Sequence, residues 1–382
     1  MKQNDKVEIF GIQISATPIF IALAIVFALF IYTVQSNKNN EAESMQKPPK
    51  EVEEKVDKTL KDIKEKADYS DGISKEDEEV SKEDSDNNTS SRKEDEEKQS
   101  LYKISQPFAN PYAELDKLVG LNSVKQEVSS MVNYIKVQEA RKKKGLATKD
   151  VAYHMVFTGN PGTGKTTVAR IMASIFKDLG VLKSGHTVET DRSGLIGEYV
   201  GQTGPKTNKT IDAAIGGVLF IDEAYTLVQQ GNDYGNEAIA ALLKRMEDDR
   251  DNLVVIIAGY TNEMNALIAS NPGLKSRFNR YINFADYSSS DLQQIFLSYA
   301  KSSGYTLDAS AQKVLAERMS RAVSTKNRHF GNGRYARNVF ERVIIVQADR
   351  LAQEGGADNV SDDALVTIKG ADLQKAFDSV KN

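Results

Sequence analysis

Four regimes of apolar and polar spacing follow one another along the chain. From Pro18 to Val34 the run PIFIALAIVFALFIYTV is almost continuously apolar, and Ile12, Ile14 and Ala16 extend it backwards without a charge. About 20 helical residues, each rising about 1.5 Å, cross the hydrocarbon of a bilayer, so residues 12–34 are expected to form one transmembrane helix. A cleaved leader needs a short apolar core and a small-x-small site; FIYTVQSNK is bulky, which favours a retained anchor. Residues 36–106 then turn to Lys, Glu, Asp, Ser and Asn, too polar to bury a core, and read as a charged disordered linker. Within it Val52, Val56, Leu60 and Ile63 are spaced for a short solvated helix, with a marginal coiled coil as the alternative.

From Pro107 the pattern becomes that of a globular domain. AYHMVF (152–157), VLFI (218–221), LVVIIAGY (253–260) and RYINF (280–284) are short apolar runs of the kind that form buried parallel strands, and HTVET (186–190) is a further strand. Helical spacing follows in VARIMASIF and GPKTNKTIDAAI. After residue 288 only helical periodicity remains, in SSDLQQIFLSYAKSSG, DASAQKVLAERMSRAV, NGRYARNVFERVIIVQADRLA and KGADLQKAFDSV. The pattern predicts an anchor over residues 1–35, a linker over 36–106, an α/β domain over 107–287 and a smaller helical lid over 288–382. Strand and helix alternation gives the α/β domain a parallel sheet with helices on both faces.

Composition narrows the chemistry. There is no cysteine and there are three histidines, so disulfides, thiol nucleophiles and Cys/His zinc sites are excluded. The net charge of -4 is uneven: residues 41–100 carry 21 acids against 12 bases, and the chain beyond them is only mildly basic. Nucleic acid is therefore not expected as a partner. Arg141 to Lys144 before Gly145 read as the basic end of a capped helix. Lys2 and Lys6 on one side of the apolar run are matched by Lys38, Lys47 and Lys50 on the other, so flanking charge does not set an orientation.

The strand AYHMVF runs straight into TGNPGTGKTT (158–167), where Gly159, Gly164, Lys165 and Thr166 fit the phosphate-loop pattern in its strand-loop-helix context. Gly159, Asn160, Pro161, Gly162, Thr163 and Gly164 would form a loop whose glycines let backbone N–H groups close around phosphates, Pro161 having no N–H of its own, and Lys165 adds a point charge. Thr166 would reach Mg²⁺ beside Thr167. About 55 residues on, VLFI ends at Asp222 and Glu223. Asp222 can hold the metal's water shell, while Glu223 can orient and deprotonate an attacking water, so ATP hydrolysis is implied rather than binding alone.

Taken together, FTGNPGTGKTTVAR, GVLFIDEAYTL, DYGNEAI, VVIIAGY and NPGLKSRF resemble the AAA+ ATPases, in particular the group of stage V sporulation protein K, red-type Rubisco activase and type VII secretion ATPases. The resemblance runs from LVGLNSVKQEV (118–128) to the C-terminus and does not cover the anchor or linker. It implies that Val119 and Gly120 lie against the adenine, that Arg277 is an arginine finger serving a neighbouring subunit, and that Arg280 is a weaker candidate for that role. Arg334, with Arg337 second, matches the sensor-2 helix. Where many relatives end a strand in asparagine or threonine this chain has Tyr260, leaving Asn262 as the sensor-1 candidate. The segment between HTVET and GPKTNKTIDAAI corresponds to the channel-facing loop of threading motors, and Tyr199-Val200-Gly201 has the aromatic-aliphatic-glycine form that grips a client, Gly197 and Gly201 giving it freedom to move. A finger acting in trans requires a homo-oligomeric ring, six subunits by resemblance. The whole implies a membrane-anchored, cytosol-facing ATPase that uses ATP and Mg²⁺ to remodel or thread a protein substrate. The alternatives are a non-threading secretion-associated scaffold, a nucleic-acid motor, against which Glu198 in the loop argues, and a Rubisco-activase role that leaves the anchor unexplained.

Overall fold

The computed structural model describes residues 6–9, 12–15, 101–148, 151–228, 234–354 and 360–380. Two compact units emerge, residues 1–83 and 84–382. In the first, β1 (Lys6–Ile9) and β2 (Ile12–Ser15) pair antiparallel. The expected membrane helix therefore does not begin at Ile12: apolar Ile12 and Ile14 alternate with polar Gln13 and Ser15, the period of a strand. The remainder of that helix, residues 16–34, lies outside the described residues, as does the linker from 36 to 100. Among the described residues no helix is long and apolar enough to cross a membrane.

The second unit opens with β3 (Lys103–Ser105), α1 (Pro111–Lys117) and α2 (Asn122–Lys143), then β4 (Met155–Gly159), α3 (Lys165–Asp178), β5 (Thr187–Thr190), α4 (Arg192–Leu195) and α5 (Thr203–Ala214). It continues through β6 (Val218–Ile221), α6 (Tyr234–Asp248), β7 (Val254–Gly259), α7 (Thr261–Ser270), α8 (Pro272–Arg277) and β8 (Arg280–Phe284). The lid comprises α9 (Ser289–Ser302), β9 (Thr306–Leu307), α10 (Ala309–Ser324), α11 (Gly333–Glu354), α12 (Asp362–Val366), β10 (Thr367–Ile368) and α13 (Gly370–Ser379).

Six strands form one sheet in the order β3-β5-β6-β7-β4-β8, parallel except for β3, which runs antiparallel along the edge of β5. Strands β4, β6 and β7 are buried along their whole length, as expected for strands covered on both faces. One core cluster gathers Val128, Ile135, Met172 and Phe176 against Phe157 and Phe220; the other gathers Ile211, Leu242, Met264 and Leu274 against Ile221 and Val255. β4 follows α2 yet lies between β7 and β8, so the chain switches direction across the sheet at the carboxyl end of β4, the place where open α/β sheets bind ligands. The lid packs around a separate core of Phe296, Leu315, Tyr335 and Phe377. A Ser288–Asp291 capping box starts α9, setting the lid's first helix immediately after the last strand. Strand β3 places residues 103–105 in the folded unit, so the polar segment ends earlier than 106.

Candidate functional site

A cavity of about 810 Å³ opens at the carboxyl ends of β4, β6 and β7, walled on its far side by the lid. Val119, Gly159, Lys165, Thr166, Asp222 and Glu223 line it from the sheet side, Arg334 and Arg337 from α11. The structure thus brings together residues spread over more than 200 positions of sequence.

Local geometry explains the glycines. At Gly159 (φ +145) a Cβ would stand 2.3 Å from the Phe284 carbonyl oxygen, and at Gly162 (φ +69) 2.1 Å from that of Gly331. Gly164 caps α3 with φ +95 and no side chain, so the first-turn N–H groups of α3 face the cavity free of a side-chain cap. That arrangement fits an anion held by backbone N–H groups and the positive end of the helix. Lys165 donates from Nζ to the carbonyls of Gly159 and Asn160, each at 2.8 Å. Burial is the main force pushing its ammonium below its ordinary value, with Arg334 adding to it and Asp222 and Glu223 opposing. Asn160 and Thr163 do not present side chains to the cavity: Asn160 Nδ2 donates to Asp286 at 2.8 Å, and Thr163 Oγ1 donates to the Asn160 carbonyl at 2.8 Å. They shape the loop, and only their backbone remains for a phosphate.

β6 delivers the acids. Asp222 follows its last residue and accepts the Glu223 N–H on Oδ1 at 3.0 Å. Glu223 adopts φ 47, a left-handed conformation costly for any residue that carries a Cβ and concentrated in proteins at functional positions. Among the described residues two other non-glycine residues share it: Leu121 (φ 56), which lines the same cavity, and Asn332 (φ 47), whose side chain reaches the phosphate loop at Pro161. Thr166 and Asp222 both line the cavity and offer oxygen donors, the ligand type that Mg²⁺ takes beside phosphate and water. Among the described residues no group of three His, Asp or Glu could hold a metal alone.

Asn262 and Gly120, both expected at the nucleotide, stand elsewhere. Asn262 is exposed on α7 and does not line the cavity, because β7 ends at Gly259 and Tyr260 caps the helix that follows. Tyr260 takes the cavity wall instead, its ring 6.0 Å from Tyr225 and 5.7 Å from His329. Burial, then the charge of Glu223, drives the Tyr225 hydroxyl up to about 12, so that ring stays neutral beside the acid. Gly120 (φ +62) forms the turn behind Val119 and packs on Asp291 rather than lining the cavity. Arg277 ends α8 away from its own chain's cavity, 3.6 Å from Glu247, with Nε buried and unpartnered. Arg280 lies over the Tyr134 ring at 5.5 Å and is braced within its own chain.

The 197–203 segment forms a tight turn between α4 and α5. Tyr199 is 68% and Val200 82% exposed, so neither belongs to the core. Below them the backbone is fastened step by step to α5: Thr210 Oγ1 donates to Gly194 O (2.9 Å), Thr207 Oγ1 to Leu195 O (2.9 Å) and Lys206 Nζ to Ile196 O (3.1 Å), while Gly197 N donates to Thr203 Oγ1 (3.1 Å). Gly197 is not a point of freedom, since a Cβ there would lie 2.5 Å from that of Gln202. Only Gly201 (φ +80) stands in open space. Arg170, absent from the sequence reading, also lines the cavity and is held by Glu189, its Nε 2.5 Å from Oε1 and its Nη2 2.7 Å from Oε2. Its signal was present, one helical turn beyond Thr166 on the same helix face.

Comparison with known proteins follows the same division. Residues 155–286 match the model of the ATPase family associated with various cellular activities (AAA), and residues 288–382 match the AAA lid domain. Stage V sporulation protein K of Bacillus subtilis is 42% identical over 262 residues, 68% of this chain and 80% of that protein. The chloroplastic ribulose bisphosphate carboxylase/oxygenase activase of Cyanidioschyzon merolae is 42% identical over 266 residues, 69% of this chain and 90% of that protein. ESX-1 secretion system protein EccA1 of Mycobacterium tuberculosis is 43% identical over 283 residues, 71% of this chain but 49% of that protein. In three dimensions the FIGL-1 AAA domain in complex with ADP superposes with a TM-score of 0.54 at 18% identity, covering 75% of this chain and 91% of that one, a likeness of fold.

Proposed function

Because the chain belongs to the AAA ATPases, in the group of stage V sporulation protein K and its relatives, we propose that it couples ATP hydrolysis to the remodelling or threading of a protein client through a homomeric ring. The observation that carries the reading is Tyr199 and Val200, two apolar side chains more than two-thirds exposed on a turn fastened to the folded domain. An exposed aromatic on a fixed support is suited to hold an extended peptide by contact area, whatever its sequence.

Within each subunit Lys165 and the first-turn N–H groups of α3 hold the phosphates, and Val119 and Leu121 form the apolar end of the cavity. Thr166 and Asp222 would hold Mg²⁺, which supplies charge neutralisation at the phosphate oxygens when bound. Glu223, which lines the cavity from a left-handed backbone just beyond β6, takes the proton of the attacking water. Arg277, outside its own chain's cavity, serves the neighbouring subunit's. Six subunits are proposed on family resemblance. Residues 16–34 lie outside the described residues; as a helix they would reach about 28 Å, and they are proposed to hold the ring at a membrane. Because hydrolysis needs ATP, the ATPase lies on the cytosolic side, and protease added to intact spheroplasts is expected to spare it; its digestion would reverse the orientation.

The reading is tested with Glu223→Gln, which keeps the shape of the cavity and removes the base. ATP should stay bound, turnover should fall by about 10²-fold or more, and a protein client should co-purify with the ring. Wild-type turnover would remove Glu223 from its role. An ATP-loaded ring that retains no client would favour the scaffold.

A further inference from the structure

The turn that opens α11 reads Gly331-Asn332-Gly333, and Asn332 within it is 0% exposed. Its Nδ2 donates to Asp286 Oδ1 (2.8 Å), Phe330 O (3.0 Å) and Pro161 O (3.3 Å), and its Oδ1 accepts the Tyr287 N–H at 3.0 Å. Asp286, between β8 and α9, gathers two further donors: Asn160 Nδ2 on Oδ1 at 2.8 Å and Lys326 Nζ on Oδ2 at 2.7 Å. Backbone contact completes the junction. Gly333 N donates to Gly162 O at 3.0 Å, and a Cβ at Gly162 would meet Gly331 O at 2.1 Å.

Three moving parts of a nucleotide site therefore meet at one buried amide and one carboxylate: the phosphate loop through Asn160, Pro161 and Gly162, the hinge through Asp286 and Tyr287, and the lid through Asn332 and Gly333. Two residues beyond Asn332 the same helix turn presents Arg334 to the cavity. Burial by itself would raise the Asp286 carboxyl, but the bonds from Lys326, Asn332 and Asn160 outweigh it and hold the group below its ordinary value. The carboxylate thus stays charged, and each donor is bound to it by a charge-assisted bond.

We propose that Asn332 and Asp286 are positioning residues that dock the opening turn of α11 on the phosphate loop, so that the setting of the lid, and of Arg334, follows the state of that loop. This rests on the cavity being the ATP site. The backbone argues for a specific role. Glycine takes a left-handed φ without strain, so the φ alone does not call for asparagine here and its amide is accounted for by its hydrogen bonds. A carboxylate in its place would confront Asp286 Oδ1, Pro161 O and Phe330 O with a fourth acceptor and no proton.

The test measures release of a fluorescent ADP analogue, steady-state kcat and KM for ATP, and Tm on the full chain. Lys165→Ala, which should not bind the analogue, establishes that the signal comes from this cavity; binding by that variant would overturn the ATP-site reading alone. Asn332→Gly, which keeps the backbone, should release ADP about fivefold faster or more and lower kcat, the loss of roughly one net hydrogen bond between lid and loop, while Tm falls by a few degrees as the Tyr287 N–H and Asp286 lose a partner and the chain stays folded. Asn332→Asp should be worse, and adding Asp286→Asn should recover part of the loss by restoring one donor opposite one acceptor. Asn160→Ala severs the loop from Asp286 without touching the lid and serves if the Asn332 variants fail to fold; its release should also accelerate. Wild-type release and KM in folded Asn332→Gly or Asn160→Ala, or a lowered Tm with wild-type release, would overturn the proposal by reducing the junction to a structural contact.

Discussion

Tyr199→Ala separates a gripping loop from a packed one, and the structure sets the scale of both effects. A tyrosine side chain offers about 150–250 Å². With 68% of the residue exposed, roughly a third of that area is buried in the subunit, so truncation should cost about 1–2 kcal/mol at most, a few degrees in Tm. A fully buried aromatic would cost about 3–5 kcal/mol. The exposed two-thirds, about 100–170 Å², is what a client can cover, worth about 2.5–4 kcal/mol per loop at full burial. Losing even half of that should weaken client engagement by about tenfold or more. The nucleotide cavity should not notice: Tyr199 lines no part of it, and its N–H bonds only Gln202 Oε1 at 3.3 Å. Basal ATPase, client-stimulated ATPase, remodelling rate and Tm should be measured for wild type, Tyr199→Ala and Tyr199→Phe. Basal rate should persist within a few-fold in both variants, stimulation and remodelling should collapse in alanine only, and phenylalanine should retain most activity because area matters more than the hydroxyl. A stable Tyr199→Ala ring that remodels its client at the wild-type rate would refute the gripping role.

Two further expectations concern the arginine finger and acid stability. Arg277→Ala should bind ATP and lose hydrolysis, and mixing it with Lys165→Ala subunits should restore part of the activity; mixed rings without recovery would leave no support for action in trans. His154 is buried with Nδ1 accepting the Val255 N–H at 3.0 Å, which leaves Nε2 to donate to Met246 O at 3.2 Å. Burial, aided by Arg277 and opposed by the Met246 carbonyl and Glu247, lowers it from 6.5 to about 4. Between those values the unfolded chain holds the extra proton, so the contribution is whole above about pH 6.5 and is lost as pH falls, by about 2 kcal/mol at pH 5. Chemical denaturation at pH 7 and pH 5 should show that loss in wild type and a shallower pH dependence in His154→Gln; equal dependence in both would show that another group carries it.

What could be seen in the sequence was what local chemistry compels. Gly159 to Thr167 had to be contiguous because a loop and a helix N-terminus bind phosphate together, and four apolar residues ending in Asp222 and Glu223 had to be a covered strand pointing at it. The junction of Asp286 and Asn332 had no such signature, since Lys326, Tyr287, Asn160 and Pro161 lie 40 to 171 positions from the residue they bond and meet it only through the fold. Asn262 was expected at the cavity because it follows the strand so closely, but β7 ends at Gly259 and α7 begins at Thr261, which carries Asn262 onto the helix. Gly197 was read as hinge when close approach to Gln202 was the reason for it, a distinction that composition does not carry. Strand β3, three residues long beside a highly charged stretch, has no periodicity to detect.

The side-chain rungs between α5 and residues 194–197 bear on mechanical efficiency. A motor delivers a displacement only as far as its transmission is stiff; a compliant tether in series would stretch under load and return its stored energy as heat when the grip slipped. Here Thr203, Thr207 and Thr210 are each wholly buried, so water does not compete for the bonds that pin the segment. In the proposed ring, whatever rotation ATP turnover imposed on the α/β body would therefore appear at Tyr199 almost undiminished, with give confined to the few atoms between Gly197 and Gly201. The length of a power stroke in such a ring would be set by rigid-body motion of subunits, and stall force by the grip of the tip rather than by the elasticity of its mount.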